Sequence, residues 1–322
     1  MDRRVIMHRA LLFLYAETPV HAGADSSLGA LDLPIQREVT TGFPIIKAES
    51  LKGALRERFR PPPGQRAERE RWVKVFGAEP PSAGARAGRL EPGTLRVHEA
   101  QLVAFPAPTL TRTFAWVTSP LAAARLERKA RIAGLAATRW AAPAADPDGA
   151  ACLAAGDQRG QSVLGPYLVS VSHDPEVRRW AGQLADAALP DLGEMAYFRD
   201  KLRTDLVACS DELLGAISRD CAPIATRIQL GTGEENGAPR KTVQHGPFQS
   251  EYLPAESLLA ALLECEDSAH LRYVREKLDG EILRLGGDET LGKGLLWCSI
   301  SSQDDENEDQ DSERAVASVE AE

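Results

Sequence analysis

The segment that decides the fold runs from residue 21 to residue 58 and contains four short motifs. They are His21-Ala-Gly23, Leu31-Asp32-Leu33-Pro34-Ile35-Gln36-Arg37-Glu38, Thr41-Gly42-Phe43-Pro44-Ile45-Ile46 and Ser50-Leu51-Lys52-Gly53-Ala54-Leu55-Arg56. The segment opens as a loop rich in glycine and polar residues. It closes as a helix that we expect to begin at Ser50, because serine is a favoured N-cap residue. The three prolines that start at Pro61 are expected to end this helix near Phe59.

The start of this helix has the chemistry of a phosphate-binding site. Lys52 is expected in the first turn, where free N–H groups and the helix dipole favour an anion. Gly53 lowers helix propensity but allows close approach of a ligand to the backbone. The loop upstream adds an imidazole, two carboxylates and a guanidinium, from His21, Asp25, Asp32 and Arg37. Such a set suits phosphodiester chemistry, which needs proton transfer and neutralisation of negative charge.

Charge is unevenly distributed along the 322 residues. Residues 1–140 hold 22 Lys and Arg against 13 Asp and Glu, whereas residues 141–300 hold 15 against 25. A basic N-terminal part is compatible with a phosphate-binding face, although an ordinary solvated surface has the same composition. Residues 301–322 hold nine acids and one Arg, which predicts a disordered acidic tail with no role in the chemistry.

The composition also excludes several classes of protein. No apolar run reaches membrane-spanning length, and the first residues lack the pattern of a signal peptide. The five cysteines, at positions 152, 209, 221, 265 and 298, lie far apart and form no C-x-x-C motif. They predict reduced thiols in a cytoplasmic protein rather than a zinc or disulfide framework.

Strand-like and helix-like patterns alternate along the remaining chain. Strands are predicted at residues 4–16, 95–105, 112–118 and 164–171, and helices at 66–76, 120–132, 175–189, 211–217 and 268–278. Two strand-like runs that flank a Gly-rich turn predict a β-hairpin at about 224–243. Residues 134–160 have low complexity, which predicts a loop or variable insertion.

A glycine-rich loop, residues 285–294, precedes the last predicted strand. Its Gly287, Gly292 and Lys293 imitate a P-loop. Gly294 stands where a P-loop needs Ser or Thr for Mg²⁺, and a strand rather than a helix follows, so an ATPase is excluded. The Gly-Gly-Asp-Glu run at 286–289 also imitates nucleotide cyclases, but nothing else in the chain supports that activity. We interpret the N–H groups around Gly292, Lys293 and Gly294 as a surface that faces phosphates.

Together, the motifs between His21 and Arg56 resemble the RAMP-superfamily backbone subunit of type III-B CRISPR (Cmr) effector complexes. Ser250-Glu251-Tyr252-Leu253-Pro254 and the loop at 285–294 are similar to two further motifs of that family. The resemblance implies an α+β fold, with a modified ferredoxin-like (RRM-like) palm, an antiparallel sheet and an inserted β-hairpin thumb. A single RAMP domain would span residues 1–300.

The function implied by the resemblance is cleavage of target RNA that is paired to a bound guide RNA, with dependence on a divalent metal (Mg or Mn). The subunit would stack helically with copies of itself and join other Cmr subunits, without a membrane partner. Two alternatives stay open: the type III-A (Csm) backbone endoribonuclease, and a guide-RNA scaffold that does not cut.

The resemblance also assigns roles to residues. Asp32 aligns with the cleavage aspartate of the family, so it is the candidate for catalysis and for metal binding. His21 is the second catalytic candidate, while Glu251 and Tyr252 are either neighbours of the active site or supports of the thumb. The RNA-binding candidates are Arg37, Ser50, Lys52, Gly53, Gly292, Lys293 and Gly294.

Overall fold

A computed structural model describes residues 6–24, 31–78, 92–136, 140–143, 147–235 and 238–303. In chain order its strands and helices are β1 (His8–Ala16), β2 (Ile45–Ile46), α1 (Ala48–Arg58), α2 (Arg66–Phe76), β3 (Leu95–Val97), β4 (Ala100–Thr109), β5 (Thr113–Thr118), α3 (Pro120–Ile132), β6 (Ala151–Ala154), β7 (Gly160–Leu164), β8 (Tyr167–His173), α4 (Pro175–Ala188), α5 (Ala196–Asp205), β9 (Leu206–Ala208), α6 (Asp211–Asp220), β10 (Ile224–Glu235), β11 (Ala238–Glu251), β12 (Leu258–Cys265), α7 (Ser268–Leu278), β13 (Ile282–Arg284) and β14 (Leu295–Ser302).

The centre of the molecule is β1, which is buried on both of its faces. Leu12 and Leu14 point into a core shared with α1 and α7, whereas Leu11 and Phe13 point into a second core shared with α4. A strand covered on both faces has a continuous apolar run instead of alternation. This explains why residues 10–16 are uniformly buried and why the strand was recognisable in the sequence.

The ferredoxin-like palm consists of β1, α1, β4, β12, α7 and β14. Its strands lie in the order β14-β1-β12-β4, and each neighbouring pair is antiparallel. Beyond β4 the sheet continues through β5, β9, β6, β8 and β7. The hairpin β10–β11 forms a separate two-stranded sheet. The predicted α+β fold, with its antiparallel palm and inserted hairpin, is therefore confirmed.

Three details of the predicted elements were wrong. Helix α1 begins at Ala48 after its N-cap at Lys47, because β2 pairs with β4 and the chain turns directly after it. Ser50 is therefore inside the first turn instead of at the cap. The hairpin is longer than predicted, since β11 continues to Glu251. Ser301 and Ser302 pair with β1, so they belong to the last strand and not to the acidic tail.

The segment predicted as a loop or insertion, residues 134–160, contributes to the sheet and to a core. Strand β6 lies between β8 and β9, and Trp140 stacks on Phe13 with 5.7 Å between ring centres. Strand β6 has four residues and no β-branched side chain, so only its partners in the sheet reveal it. Residues 137–139 and 144–146 lie outside the described residues, as do Asp25, residues 79–91 and residues 304–322 of the tail. No helix in the described ranges is long and apolar enough to cross a membrane.

Candidate active site

Asp32 lies beside the last residues of β11. Leu33 N donates to Gln249 O at 3.0 Å, and Glu251 N donates to Leu33 O at 2.9 Å, so this loop follows the strand. The Asp32 carboxylate accepts a hydrogen bond from Gln249 N at 2.7 Å, although the side chain is exposed. A backbone N–H therefore orients an anion that is still accessible to a ligand.

His21 is fixed to the same stretch of β11. Its Nδ1 lies 2.8 Å from the carbonyl oxygen of Glu251, and a carbonyl can only accept, so Nδ1 carries the proton. In the neutral ring, Nε2 is then the acceptor that can take a proton from a substrate. The backbone atoms that hold Asp32 and His21 belong to residues 249 and 251, which are separated by roughly 7 Å along a strand.

Arg37 and Glu251 form a buried ion pair under the Asp32 loop. Arg37 Nη2 lies 2.5 Å from Glu251 Oε1, and the other carboxylate oxygen accepts from Ile35 N at 3.1 Å. Arg37 also donates to the carbonyl oxygens of Gly42 and Ser218, both at 3.0 Å. The guanidinium that we considered for RNA contact thus points into the protein, where it supports the loop together with Glu251.

The glycine-rich loop also packs against His21. Gly287 N donates to His21 O at 3.0 Å, and Lys293 Nζ lies 5.3 Å from the centre of the Tyr252 ring. Gly294 has a φ of +79°, and an added Cβ would come within 2.2 Å of Leu285 O. Only glycine fits there, so Gly294 shapes the loop that presents Lys293.

Asp288 in this loop is bound by two side chains from the hairpin and its end. Arg227 donates to both carboxylate oxygens, at 2.6 and 2.5 Å, and the Tyr252 hydroxyl donates at 2.9 Å. The Arg227 guanidinium holds the pKa of the Asp288 carboxyl below its usual value. Burial, together with the bond to Asp288, raises the pKa of Tyr252. Neither Arg227 nor Asp288 is a candidate from the sequence alone, because nothing in a sequence shows that residues so far apart will meet.

Two of the three RNA-binding candidates of α1 lie at a groove of about 690 Å³. Ser50 and Gly53 line one wall, and Gly286 of the glycine-rich loop lines the other. An added Cβ on Gly53 would meet nothing within 4 Å, so packing inside the protein does not require glycine. Lys52 lies elsewhere, since its ammonium donates to Leu95 O at 3.0 Å and burial lowers its pKa.

The residues present fit only one mode of metal binding. Across the described parts of the chain there is no cluster of three or more His, Cys, Asp or Glu side chains that would hold an ion unaided. Mg²⁺ is often held by one or two carboxylates together with phosphates of the substrate. Asp32, exposed and oriented, fits that second arrangement.

Comparison with known proteins identifies the family. The chain is 29% identical over 310 residues to the CRISPR system Cmr endoribonuclease Cmr4 of Pyrococcus furiosus, which covers 91% of this chain and 96% of that protein. The crystal structure of oligomeric Cmr4 from P. furiosus superimposes with a TM-score of 0.67 at 23% identity, covering 91% of this chain and 98% of the other. A subunit of the type III-B Cmr-beta complex bound to cognate target RNA gives the same TM-score at 19% identity, with 91% and 96% covered. Residues 13–297 match the model of the RAMP superfamily, and the chain belongs to that family.

Proposed function

We propose that this chain is the guide-RNA-binding backbone subunit of a type III-B CRISPR effector complex and that it cuts the target RNA paired to the guide. Support comes from the similarity to Cmr4, an endoribonuclease, and from folds shared with an oligomeric Cmr4 and with a Cmr complex bound to target RNA. Its partners are guide RNA, target RNA, stacked copies of itself and other Cmr subunits in the cytoplasm.

The observation that carries the proposal is the exposed carboxylate of Asp32, oriented at 2.7 Å by the N–H of Gln249. The same stretch of β11 holds the imidazole of His21, and the nearby loop offers the cation of Lys293. An anion, a proton acceptor and a cation around the end of one strand are the groups that RNA cleavage requires.

RNA carries its own nucleophile in the 2′-hydroxyl. When that oxygen attacks the adjacent phosphorus in line, the bond from phosphorus to the 5′-oxygen breaks and the departing oxygen takes up a proton from water. The products are a 2′,3′-cyclic phosphate and a free 5′-hydroxyl. His21 Nε2 accepts the proton in this scheme, while Asp32 orients the reacting groups and Lys293 offsets phosphate charge. Asp32, with phosphate oxygens of the RNA, would hold a divalent cation, and such an ion would supply neutralisation of the negative charge that develops on the phosphorane oxygens.

The groove between α1 and the glycine-rich loop provides a surface for the RNA backbone. Gly53 allows close approach there, and Ser50 offers a hydroxyl. Sequence selectivity would come from base pairing with the guide, by analogy with guided DNA recognition, in which the protein contacts shape and backbone.

The test is single-turnover cleavage of a complementary RNA by the reconstituted complex. Asp32→Ala should reduce the rate constant by orders of magnitude while target binding persists. Asp32→Asn keeps an acceptor for Gln249 N, so an equal loss would show that the charge matters and not the anchoring of the loop. A target with a 2′-deoxyribose at the cut should stay intact. If wild-type complex binds target without cutting it, the scaffold alternative replaces this proposal.

A further inference from the structure

A β-bulge divides the β10–β11 hairpin into a base and an outer part. Up to Arg227, β10 pairs with residues 248–251, but Gln229 pairs with His245, so Gly246 and Pro247 together lie opposite the single residue Ile228. Gly246 has a φ of +110°, and an added Cβ would lie 3.0 Å from Arg227 O. Bulges bend a strand and are common beside active sites. The direction in which the outer hairpin leaves the body is therefore set at this point.

Arg227 is the last paired residue on the base side of the bulge, and its side chain reaches out of the hairpin. Besides its two bonds to Asp288, it donates to Ser250 Oγ at 2.7 Å. The side chains of Arg227 and Asp288 are each 20% exposed. A bidentate Arg–carboxylate pair that is mostly shielded from water is both strong and directional.

Asp288 connects the base of the hairpin to the candidate catalytic groups. Its neighbour Gly287 is bonded to the backbone of His21, and Tyr252 joins Asp288 to the end of β11. Phe248 is the residue that pairs with Arg227, and between it and Tyr252 lie Gln249 and Glu251. The backbone of these two residues holds Asp32 and His21. The ion pair thus closes a ring of contacts that runs through the hairpin base, the glycine-rich loop and both candidate groups.

We propose that Arg227 and Asp288 are positioning residues for RNA cleavage, an inference that rests on the proposed function. By tying the hairpin base to the glycine-rich loop, the pair keeps Gln249 N and Glu251 O where they orient Asp32 and His21. Neither residue touches the reacting atoms in this role. A displacement of about 1 Å in a catalytic group can cost roughly 100-fold in rate, so the effect of losing the pair should be measurable.

The test compares Asp288→Asn, Arg227→Met and the double variant in reconstituted complex. Asparagine tolerates a positive φ such as the +64° of Asp288, and methionine keeps much of the arginine stem. Each single change should lower the single-turnover rate constant by about 10- to 100-fold. The dissociation constant for target RNA should stay within about twofold, and the double variant should be no slower than the slower single variant.

Two further variants keep the result interpretable. Arg227→Lys retains the charge but not the bidentate geometry, so it should also slow cutting, and it serves if the other variants fail to assemble. Arg9→Met combined with Glu264→Gln removes a 2.7 Å ion pair between β1 and β12 and should leave the rate unchanged.

The possible outcomes separate this inference from the proposed function. Asp288→Asn and Arg227→Lys complexes that cut within about twofold of the wild-type rate would overturn the positioning role and leave the proposed function intact. Parallel losses of target affinity, melting temperature and rate would also overturn it, since they would indicate general destabilisation. If the wild-type complex does not cut at all, the proposed function itself fails.

Discussion

Gly53 shows most directly how a single residue can indicate a surface for a ligand. It lies inside α1, where glycine is less stable than alanine by roughly 0.5–1 kcal/mol. Its position is open, with nothing within 4 Å of an added Cβ, and it borders the groove shared with the glycine-rich loop. The fold does not require glycine at this position, and the groove beside it is where the missing side chain would allow close approach of a ligand.

Gly53→Ala should therefore stabilise the free protein and weaken its binding to guide RNA. We expect a gain of about 0.5–1 kcal/mol in the free energy of unfolding by chemical denaturation. Guide-RNA affinity should fall by about tenfold at fixed salt, which corresponds to roughly 1.4 kcal/mol.

Gly182→Ala is the matched control for this change. Gly182 also lies within a helix, α4, and an added Cβ there also meets nothing within 4 Å. It should give a similar gain in stability with no change in RNA binding. If the two variants bind guide RNA with equal affinity, Gly53 is not part of an RNA-binding surface.

Among the elements, the segment between α3 and β7 is the one whose importance the sequence conceals. Trp140 is 2% exposed and stacks on Phe13 of β1, yet it is surrounded in sequence by alanine and proline. Trp140→Ala should lower the free energy of unfolding by about 3–5 kcal/mol, measured by chemical denaturation. Tyr197→Ala, at a position that is 67% exposed, should change it by less than about 0.5 kcal/mol. A small effect at Trp140 would mean that this segment is dispensable for the core.

The elements with local signals were predictable from the sequence. Helix α3 begins after Ser119, whose Oγ accepts from Ala122 N at 3.4 Å, with Pro120 in the first position as expected. Helix α7 has the predicted bounds, and β1 was visible as an apolar run. Each of these elements carries its own cap, period or composition.

Elements and contacts that depend on distant partners were not predictable. Ser50 has the right chemistry for a cap, but the pairing of β2 with β4 starts the helix earlier. Arg37 has the right charge for phosphate, yet Glu251, which follows it by 214 positions, turns it inward. The bond between Arg227 and Asp288 likewise exists only once the hairpin is packed on the glycine-rich loop.

At the scale of the whole molecule, one buried carboxyl links stability to pH. Burial raises the pKa of Glu256 to about 7, and its Oε2 finds no hydrogen-bond partner among the described residues. An unfolded chain ionises this group near its ordinary pKa of 4.5, so the folded state binds the extra proton between those two values. The contribution of the protonated Glu256 carboxyl to the free energy of unfolding is complete below about pH 4.5, and it is lost as pH rises through about 7.

Glu256→Gln should consequently change stability by an amount that depends on pH. Near pH 5 the variant and the wild type should have similar melting temperatures, since the buried group is neutral in both. At pH 8 the variant should melt at a higher temperature, because the wild type must bury a charge. Glu276→Gln, at an exposed position of α7, is the control and should show no such difference. If the difference in melting temperature between variant and wild type does not change with pH, a group other than Glu256 binds the extra proton of the folded state.

The position of β1 has a consequence for how the chain is made. Its two neighbours in the sheet, β12 and β14, are synthesised about 250 residues later. At a translation rate of roughly 5–20 residues per second, the apolar run from Leu11 to Ala16 leaves the ribosome some 12–50 seconds before either partner exists. During that interval β1 exposes apolar side chains and unpaired backbone groups, which are the features that chaperones bind. A messenger RNA truncated before the codons of β12 would give a polypeptide that cannot cover β1. Complete translation is therefore a condition for soluble protein.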